Sequence, residues 1–549
     1  MKKYLFCAGF ILLILSLTGC GNPEPVLSGI SPDSKVQHMP SFELTVTGSD
    51  FVEESKIVFN NEEMTTTFVS STELKCTIES DDITPASVQN SQGAGIANET
   101  EDYQVDVFVR TPSPGGGDSV KLPFTVKANH TFTTPKRITH HADTAECYVD
   151  LENNNINMLY SHWGNKRHGP YPVHFRRSTD GGDTWSTATK VNSEDHGFTC
   201  AYDIEALSGG KLLAVYEHWD TINFRSYFYK SESNNNGQTW SSPGSFFPPS
   251  INPIFITWRI FNENKIYYIY TIYDGKPIPE KGYKLKFMKR LNGVLGPEYT
   301  VTSGYLPLCV SMITDDSGNI YLFYMQGTKQ GSFDIFRAVS MDNGQTWSTD
   351  QITHIASSWK TAWVPYVTKL SDNRIIMFWR ETTITSIPGM LEAEESIDKF
   401  SKLKIRKALG ELPGSENPAG AEVEKNYFMM SSDYGNTWGA KTELILNVNY
   451  DYSIGSVNVD SADNLNLRVY KIVDTVPKYY YDKYRIYYSR SIDLGQSWTT
   501  PVRICNGSSG GYFGRIMTLE DGNLYLIWSQ HQNPNDDYAW DIMFSKTTD

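Results

Sequence analysis

The sequence predicts an all-β protein in which a small β-sandwich precedes a larger domain of repeated four-stranded sheets. Short stretches of alternating apolar and polar residues, separated by Asn, Gly and Ser turns, run through the chain. An eight-residue motif then recurs along the second part of the sequence. Hydrophobic residues make up 39% of the chain and charged residues 20%, as is typical of a folded globular protein.

The small β-sandwich is predicted over residues 25–127. Its segments resemble the IPT/TIG immunoglobulin-like family, and the similarity runs through residues 30–32, 44–48, 57–60, 112–117 and 122–126. Domains of that family usually act as spacers or contact modules. The resemblance therefore implies no chemistry for this part of the chain.

The repeated motif has the pattern Ser-x-Asp-x-Gly-x-Thr-Trp and is called the box here. Four good copies and one variant, in which Asn235 replaces Asp, occupy residues 178–185, 233–240, 340–347, 431–438 and 491–498. The pattern predicts a tight hairpin turn. In such a turn Asp accepts backbone N–H groups, Gly adopts a positive φ, and Trp packs between neighbouring sheets.

These boxes resemble the Asp-box of sialidases and their relatives, which implies a β-propeller over residues 131–549. Adjacent boxes start at 178 and 233, and at 431 and 491, so one period is about 55 to 60 residues. The longer gap after residue 233 leaves room for a sheet without a box at 283–300. The spacing predicts seven blades.

The two ends of this domain are predicted to pair. The chain stops inside an incomplete seventh box, because residues 544–549 align with 488–493. Residues 132–138 match 498–504, a strand that follows a box, although no box precedes the first copy. The N-terminal segment should therefore complete the last sheet and close the ring, which removes exposed sheet edges.

The N-terminus indicates export. Two lysines precede the apolar run 4–17, and residues 17–20 (Leu-Thr-Gly-Cys) resemble the lipobox of bacterial lipoproteins. Cys20 would carry the diacylglycerol, and residues 1–20 would be the signal peptide with its lipidation site. The protein is expected in the cell envelope, anchored to the membrane only by lipid and facing the periplasm or the exterior.

Charge and cysteine content exclude several classes of function. The net charge of −15 argues against nucleic acid and anionic lipid as partners. Five cysteines follow Cys20 without a CxxC pair or a Cys/His cluster, so neither a metal nor another cofactor is expected. An oxidising compartment leaves room for one disulfide.

The resemblance to sialidase-like propellers places the working site on the face opposite the boxes. The strand ends and loops predicted there carry histidines, tryptophans, arginines and carboxylates. On the first strands of two blades, residues 147–152 align with 200–205, and Arg515 aligns with Asp203. Candidate catalytic residues are His162, His218, Glu217, Asp203, Arg380 and Arg515; candidate substrate-binding residues are Trp163, Trp219, Asp220, Arg225, Tyr273, Trp379, Glu381 and His531.

This set of side chains suits a glycan, either acidic or neutral. Indoles stack on pyranose rings, guanidinium forks bind carboxylates, and histidine can act as general acid or base near neutral pH. The charged residues of the first strands, Asp203 and Arg515 among them, could instead form a salt-bridged lining of the channel. Residues 382–425 form an insertion whose segment 390–412 has helical spacing, which suits either a rim over the site or a solvated loop.

Three functions fit these observations. A sialidase-like hydrolase would need two carboxylates, and a polysaccharide lyase would use His162 or His218 with a tyrosine and an arginine. A surface glycan-binding lipoprotein would need the aromatics alone, and a protein-binding propeller is the third. The Phe/Tyr-Arg-Ile-Pro motif of sialidases is only approached, by residues 513–516 (Phe-Gly-Arg-Ile) followed by Met517, and sialidases have six blades.

Overall fold

The computed structural model describes most of the chain as two compact units, Met1–Asn129 and His130–Asp549. None of the helices among the described residues is long and apolar enough to cross a membrane. The described residues are 21–37, 39, 41–83, 102–130, 132–140, 142–150, 155–162, 172–192, 198–220, 225–247, 253, 255–262, 265–273, 282–292, 294–327, 333–354, 360–383, 422–446, 452–472, 484–505, 511–518, 523–531 and 540–547.

The first unit contains two β-sheets whose apolar faces form its core. Phe124 stacks on Phe42 at 5.8 Å between ring centroids and meets Phe59 edge-on at 5.3 Å. The sheets have the strand orders β1-β3-β7-β6 and β2-β10-β8-β4-β5, with β9 paired to β8. The strands are β1 (Val26–Ser31), β2 (Ser34–Val36), β3 (Phe42–Ser49), β4 (Lys56–Phe59), β5 (Glu62–Glu63), β6 (Thr66–Ser70), β7 (Glu73–Ile78), β8 (Tyr103–Thr111), β9 (Gly117–Asp118) and β10 (Leu122–Lys127), with a 3₁₀ turn at Ser80–Ile83.

The second unit consists of antiparallel sheets, numbered here in chain order. Sheets 3 and 4 are continuous, because β24 pairs with β22 in its first part and with β25 in its second. Sheet 1 contains β12 (Ala142–Asp150), β13 (Asn155–His162), β14 (Val173–Ser178) and β15 (Thr189–Lys190); sheet 2 contains β16 (Phe198–Leu207), β17 (Lys211–Asp220), β18 (Arg225–Ser233) and β19 (Gly244–Ser245), with a 3₁₀ turn at Ser208–Gly210.

The remaining sheets follow the same plan. Sheet 3 contains β20 (Phe255–Asn262), β21 (Lys265–Tyr273), β22 (Tyr283–Leu291) and β23 (Val294–Leu295); β24 (Tyr299–Thr314) joins it to sheet 4, with β25 (Ile320–Gly327), β26 (Phe333–Ser340) and β27 (Ser348–Gln351). Sheet 5 contains β28 (Lys360–Lys369), β29 (Ile375–Thr383), β30 (Glu422–Ser431) and β31 (Thr442–Glu443); sheet 6 contains β32 (Tyr452–Val459), β33 (Leu465–Ile472), β34 (Tyr484–Ser491) and β35 (Val502–Arg503); sheet 7 contains β36 (Gly511–Thr518), β37 (Leu524–His531), β38 (Trp540–Lys546) and β11 (Lys136–His140).

Each sheet of the second unit shares an apolar core with the sheet before it and the sheet after it. Separate clusters of buried residues join sheet 1 to 2, 2 to 3, 3 to 4, 4 to 5, 5 to 6 and 6 to 7. A further cluster joins sheet 7 to sheet 1 through Ile527, Phe544 and Tyr160. The described core is therefore continuous from each sheet to the next, and it returns from the last sheet to the first.

The first strand of the second unit pairs with its last strand. β11 runs antiparallel to β38, with Lys136 opposite Phe544 and His140 opposite Asp541. Ser545 Oγ donates a hydrogen bond to the Thr133 carbonyl at 2.6 Å, and the Lys546 N–H donates to Thr133 Oγ1 at 3.2 Å. This is the pairing that the match between residues 132–138 and 498–504 predicts.

The boxes fold as hydrogen-bonded turns. In the box of sheet 4, the Gly344 N–H donates to Ser340 Oγ at 2.7 Å, and the Thr346 N–H donates to Asp342 Oδ1 at 2.9 Å. Trp347 Nε1 donates to the Gly344 carbonyl at 3.1 Å, and its ring meets Phe287 of sheet 3 edge-on. Gly344 has φ +90°, so the roles predicted for Asp, Gly and Trp are confirmed in this turn.

The Asp342→Asn variant should lose part of the acid sensitivity of the fold. Hydrogen bonds from the Thr346 hydroxyl and N–H lower the pKa of Asp342 to about 2. The Asp342 carboxylate therefore stabilises the fold fully above its unfolded pKa of ~4, and this stabilisation disappears as the pH falls towards 2. Thermal melts between pH 2 and 5 should show the Tm of the wild type falling more steeply than that of Asp342→Asn.

A natural asparagine supplies the matched control. Asn235 holds the same position in the box of sheet 2 and accepts the Thr239 N–H at 2.9 Å without a charge. Asn235→Asp should therefore add acid sensitivity over the same pH range. Parallel Tm curves for all three proteins would contradict the assignment of this pH dependence to the box carboxylates.

Candidate functional site

The boxes provide a common origin for position along the strands. In five sheets the box serine pairs with the first residue of the regular ladder on the second strand, and in sheet 7 Thr547 bonds Leu524 in the same way. These second-strand residues are called the box-paired residues. The height of a second-strand residue is the number of positions that separate it from the box-paired residue of its sheet. A residue on the inner strand takes the height of the second-strand residue that it pairs with. They are Ile156, Leu212, Ile320, Ile375, Leu465 and Leu524 for sheets 1, 2, 4, 5, 6 and 7.

The innermost strands of sheets 1, 2, 4, 5, 6 and 7 carry β-bulges at one end, away from the boxes. In sheet 3 the register shift of β20 lies instead beside the turn to β21, between Ile260 and Asn262. The register shifts of the other six sheets are opposite heights three to seven of the second strand, about 10 to 23 Å from the box serines. β-bulges concentrate beside functional sites, where they redirect side chains and end regular pairing. In these six sheets the shifts fall between Ala142/Ala145, Ala201/Asp203, Tyr305/Leu308, Leu308/Ser311, Trp363/Tyr366, Ile454/Ser456 and Tyr512/Gly514.

Side chains of one sheet satisfy backbone groups at the bulges of the next. Ser311 Oγ donates to the Pro365 carbonyl at 2.7 Å, and the Tyr366 hydroxyl donates to the Gly455 carbonyl at 3.2 Å. The Ala201 N–H donates to Ser161 Oγ at 2.6 Å. A bulge leaves backbone groups without ladder partners, so these bonds fix the inner strands against each other.

Two predicted catalytic residues, Asp203 and Arg515, lie at the same height directly beside bulges. Asp203 pairs with Val215, three residues after Leu212, and Arg515 pairs with Ile527, three residues after Leu524. Asp203 is half-buried and accepts the Ile204 N–H at 2.9 Å, whereas Arg515 is exposed. The register thus agrees with the sequence alignment of these two residues.

The two candidate histidines also share one height. His162 and His218 each lie six residues after the box-paired residue of their strand, on adjacent sheets 1 and 2. His218 is half-buried, and its ring lies 6.4 Å from that of Tyr229 in a T-shaped arrangement. The two histidines therefore occupy equivalent backbone positions at the ends of neighbouring second strands.

Glu217 lies on the other face of its strand from His218. Successive strand residues point to opposite faces, and Glu217 is 5% exposed. Val215, on the same face as Glu217, belongs to the core shared with sheet 3, whereas Tyr216 belongs to the core shared with sheet 1. Glu217 and His218 thus belong to different sides of sheet 2.

The prediction that Trp379 stacks on substrate is wrong, because its side chain is 0% exposed and packs in the core of sheet 5. Its Nε1 donates to Glu381 Oε1 at 2.8 Å. Lys441 Nζ contacts both oxygens of Glu381, at 2.7 and 2.8 Å, and lies 3.8 Å from the Tyr427 ring centroid. Burial and, to a smaller extent, the Glu381 charge raise the pKa of Tyr427.

Glu381 and Arg380 lie near the C-terminal end of β29 in sheet 5, and each is held there by different contacts. Glu381 is 15% exposed and belongs to the ion pair with Lys441. Arg380 is half-buried, and its backbone pairs with Trp363 and Asn426. Arg380 lies on sheet 5 and Asp203 on sheet 2, and sheets 3 and 4 come between these two sheets in the series of shared cores.

Several predicted features lie outside what the structure describes. Trp163, Cys20 and the segment 390–412 fall outside the described residues. Cys76 and Cys505 are free and buried, and no group of three His, Cys, Asp or Glu in the described part of the chain could hold a metal ion. The backbone is described, but the side chain is not, for His162, Trp219, Asp220, Arg225, Tyr273 and His531.

The register identifies one position that the sequence alignment misses. The alignment of 147–152 with 200–205 makes Cys147 equivalent to Cys200, but pairing within the two hairpins makes other residues equivalent. Glu146 pairs with Leu159, three residues after Ile156, and is therefore equivalent to Asp203. The two similar hexapeptides are offset by four residues, because hairpin position and not local similarity fixes strand register.

Comparison with known proteins gives one family match. The model of the IPT/TIG domain family matches residues 25–105, which lie in the first unit. No curated protein matches the sequence.

Solved structures similar to this chain share little sequence with it. A protein of unknown function from Dyadobacter fermentans is 13% identical, with a TM-score of 0.40, and the match covers 76% of this chain and 98% of that one. A polysaccharide lyase, an ulvan lyase of family PL25, is 14% identical, with a TM-score of 0.39 and coverage of 59% and 78%. An α-L-arabinofuranosidase from Fusarium graminearum is 12% identical, with a TM-score of 0.39 and coverage of 76% and 97%. At these values the function of the chain has to be inferred from its own residues.

Proposed function

We propose that the second unit is a seven-bladed β-propeller that recognises glycans at the strand ends opposite the boxes. The continuous series of shared cores, which returns from sheet 7 to sheet 1, supports a closed ring. Pairing of β11 with β38 supports closure by the N-terminal strand. Closure would leave the bulged ends of the inner strands around one mouth.

The observation that carries the proposal is the coincidence of polar residues and bulges on adjacent sheets. Asp203 and Arg515 share height three, and His162 and His218 share height six, on sheets 7, 1 and 2. Carboxylates and imidazoles hydrogen-bond sugar hydroxyls, and an exposed guanidinium adds donors in a fixed geometry. A protein-binding face would instead present apolar side chains at its centre, and none of these four residues is apolar.

The proposed location is the cell envelope. Residues 1–20 would direct export and Cys20 would carry the lipid, so the propeller would meet glycans outside the cytoplasm. The IPT/TIG domain would then separate the propeller from the membrane. Labelling of Cys20 with a fatty-acid analogue in cells, and its loss in Cys20→Ala, would test this part of the proposal.

The recognition proposal predicts that His218→Ala weakens glycan binding at least tenfold. The test measures retention and product release on arabinan, polygalacturonate, chondroitin sulfate and a sialylated glycoprotein. His354→Ala is the matched control, because His354 is exposed beside the outer strand of sheet 4. We expect His354→Ala to bind as the wild type does.

The outcomes separate binding from catalysis. Release of reducing ends, sialic acid or unsaturated uronate by the wild type would extend the proposal from recognition to cleavage. Retention without product would identify a glycan-binding protein. Absence of both activities on the whole panel, or equal retention by the wild type and His218→Ala, would contradict the proposed site.

A further inference from the structure

We infer that Tyr470 is a further ligand-binding residue of the proposed site, and that Arg468 is a positioning residue whose buried charge selects a glycan with carboxylate or sulfate groups. This inference rests on the proposed function, because it names the class of glycan bound at the same strand ends. The sequence patterns assign neither residue a role. Both lie on β33, the second strand of sheet 6.

Arg468 occupies a position that is apolar in the other sheets with a box-paired residue. It lies at height three, three positions after Leu465, and is only 3% exposed. The guanidinium of arginine stays protonated in proteins, so sheet 6 buries a cation where the other sheets bury hydrocarbon. The residues at height three of those sheets are buried and apolar: Leu159, Val215, Phe323, Phe378 and Ile527.

Neutral groups alone hold this guanidinium. Nε donates to Ser456 Oγ at 3.1 Å, and Nη2 donates to the Gly455 carbonyl at 2.9 Å. Nη1 donates to the Tyr470 hydroxyl. No ion pair within the described part of the chain includes Arg468. A buried charge is costly without a counter-charge, and an anionic group of a ligand nearby would supply one.

Tyr470 connects the buried cation to the surface. It lies at height five, and its ring packs at the edge of the core that sheets 6 and 7 share. Among the six residues at this height, only Tyr470 and Arg380 are partly exposed. The other four are buried: Ser161, Glu217, Met325 and Ser529. The Tyr470 side chain therefore reaches a ligand at the strand ends while its hydroxyl is held by Arg468.

A glycine brings both side chains against the inner strand of sheet 6. Gly455 lies at the register shift of β32, between Ile454 and Ser456. A Cβ added there would lie 2.6 Å from the Tyr470 ring and 2.9 Å from the Arg468 guanidinium. Tyr470 and Arg468 thus pack directly on the bulge, where the proposed mouth begins, and both lie on the side of sheet 6 that faces sheet 7.

The charge of sheet 6 indicates the class of glycan. Its four strands contain five Arg and Lys residues and neither Asp nor Glu, although the whole chain has a net charge of −15. A cation in a poorly hydrated position attracts carboxylates and sulfates, and a phenolic hydroxyl can donate a hydrogen bond to either group. The proposed site thus extends from sheets 7, 1 and 2 to sheet 6, and it favours an acidic glycan.

The first test compares Tyr470→Phe with the wild type by calorimetric titration at 25 °C. The probes are the glycan panel above, in which arabinan is neutral and polygalacturonate carries carboxylates alone, and dextran sulfate, which carries sulfates alone. Tyr470→Phe should bind the acidic probes at least tenfold more weakly. Tyr488→Phe is the matched control, with less than a twofold change expected, because Tyr488 is fully buried on the same side of sheet 6 and donates to Asn466 Oδ1.

The second test separates the charge of Arg468 from its structural contacts. Arg468→Lys keeps the charge and should keep the preference for acidic probes over arabinan, whereas Arg468→Met should lower this preference at least tenfold. Rising salt should weaken binding by the wild type more than binding by Arg468→Met. Arg503→Met is the matched control, because it removes an exposed cation from the outer strand of the same sheet and should leave the preference unchanged.

The outcomes distinguish failure of this site from failure of the proposed function. A wild type that binds no glycan of the panel would overturn the proposed function itself. Binding of arabinan as tightly as every acidic probe would overturn the acidic class alone. Full affinity in Tyr470→Phe would overturn the role of Tyr470. An unchanged preference in Arg468→Met, or its loss in a folded Arg468→Lys, would overturn the role of the Arg468 charge. Tighter binding of dextran sulfate than of polygalacturonate would identify sulfate as the recognised group, and the reverse order would identify carboxylate.

Discussion

Removal of residues 1–140 is expected to abolish cooperative folding of the second unit. This truncation deletes β11, which pairs with β38 and buries Ile138 in the core between sheets 7 and 1. It also deletes Phe132, whose ring meets Tyr488 of sheet 6 edge-on at 5.1 Å. The change opens a hydrogen-bonding edge on β38 beside the buried Phe544, and an exposed apolar edge promotes aggregation.

The matched control is removal of residues 1–129, which leaves β11 in place. Each unit has its own core, so this shorter truncation should keep a single cooperative melt. Size-exclusion chromatography and circular dichroism melts of the two truncations measure the difference. A folded, monomeric protein after removal of 1–140 would show that β11 does not complete the sheet in solution.

Pairing of the first and last strands of the second unit can be predicted because it leaves a signature in the sequence. Residues 132–138 match a strand that elsewhere follows a box, although no box precedes them, and residues 544–549 match the start of a box. Similarly, the box predicts its own turn, since each hydrogen bond within it joins residues at fixed spacing. Local patterns that recur are therefore reliable guides to this fold.

Positions on the inner strands are harder to predict, because register depends on hairpin length and bulges. The sequence alignment misses Glu146, since the hexapeptides 147–152 and 200–205 resemble each other although their strands are offset by four residues. The wrong prediction for Trp379 has a related cause. This residue ends an apolar run near the predicted mouth, but only packing against Tyr427 and Lys441 shows that its indole is buried.

The second large effect is expected from Gly344→Ala, which should lower the free energy of unfolding by about 3 to 5 kcal/mol. Gly344 has φ +90°, and an added Cβ would collide with the ring of Phe287 on the neighbouring sheet. Phe287 is fully buried in the core shared by sheets 3 and 4, so its ring has little room to move. Urea unfolding at 25 °C followed by tryptophan fluorescence would measure the loss.

Gly209→Ala separates backbone strain from overpacking. Gly209 has φ +71°, but an added Cβ there would meet nothing within 4 Å. This variant should therefore lower the free energy of unfolding by only about 1 to 2 kcal/mol, the cost of a left-handed alanine.

The further loss in Gly344→Ala should be relieved when Phe287 is shortened to Leu in the same chain, because the effects of two side chains that collide are not additive. Equal losses in the two glycine variants, or no relief from Phe287→Leu, would show that the box does not hold its glycine against the neighbouring sheet. In that case the Trp347 contact and the hydrogen bonds that Tyr267 and Lys289 donate to Asn343 would link the turn to sheet 3, without packing at the glycine.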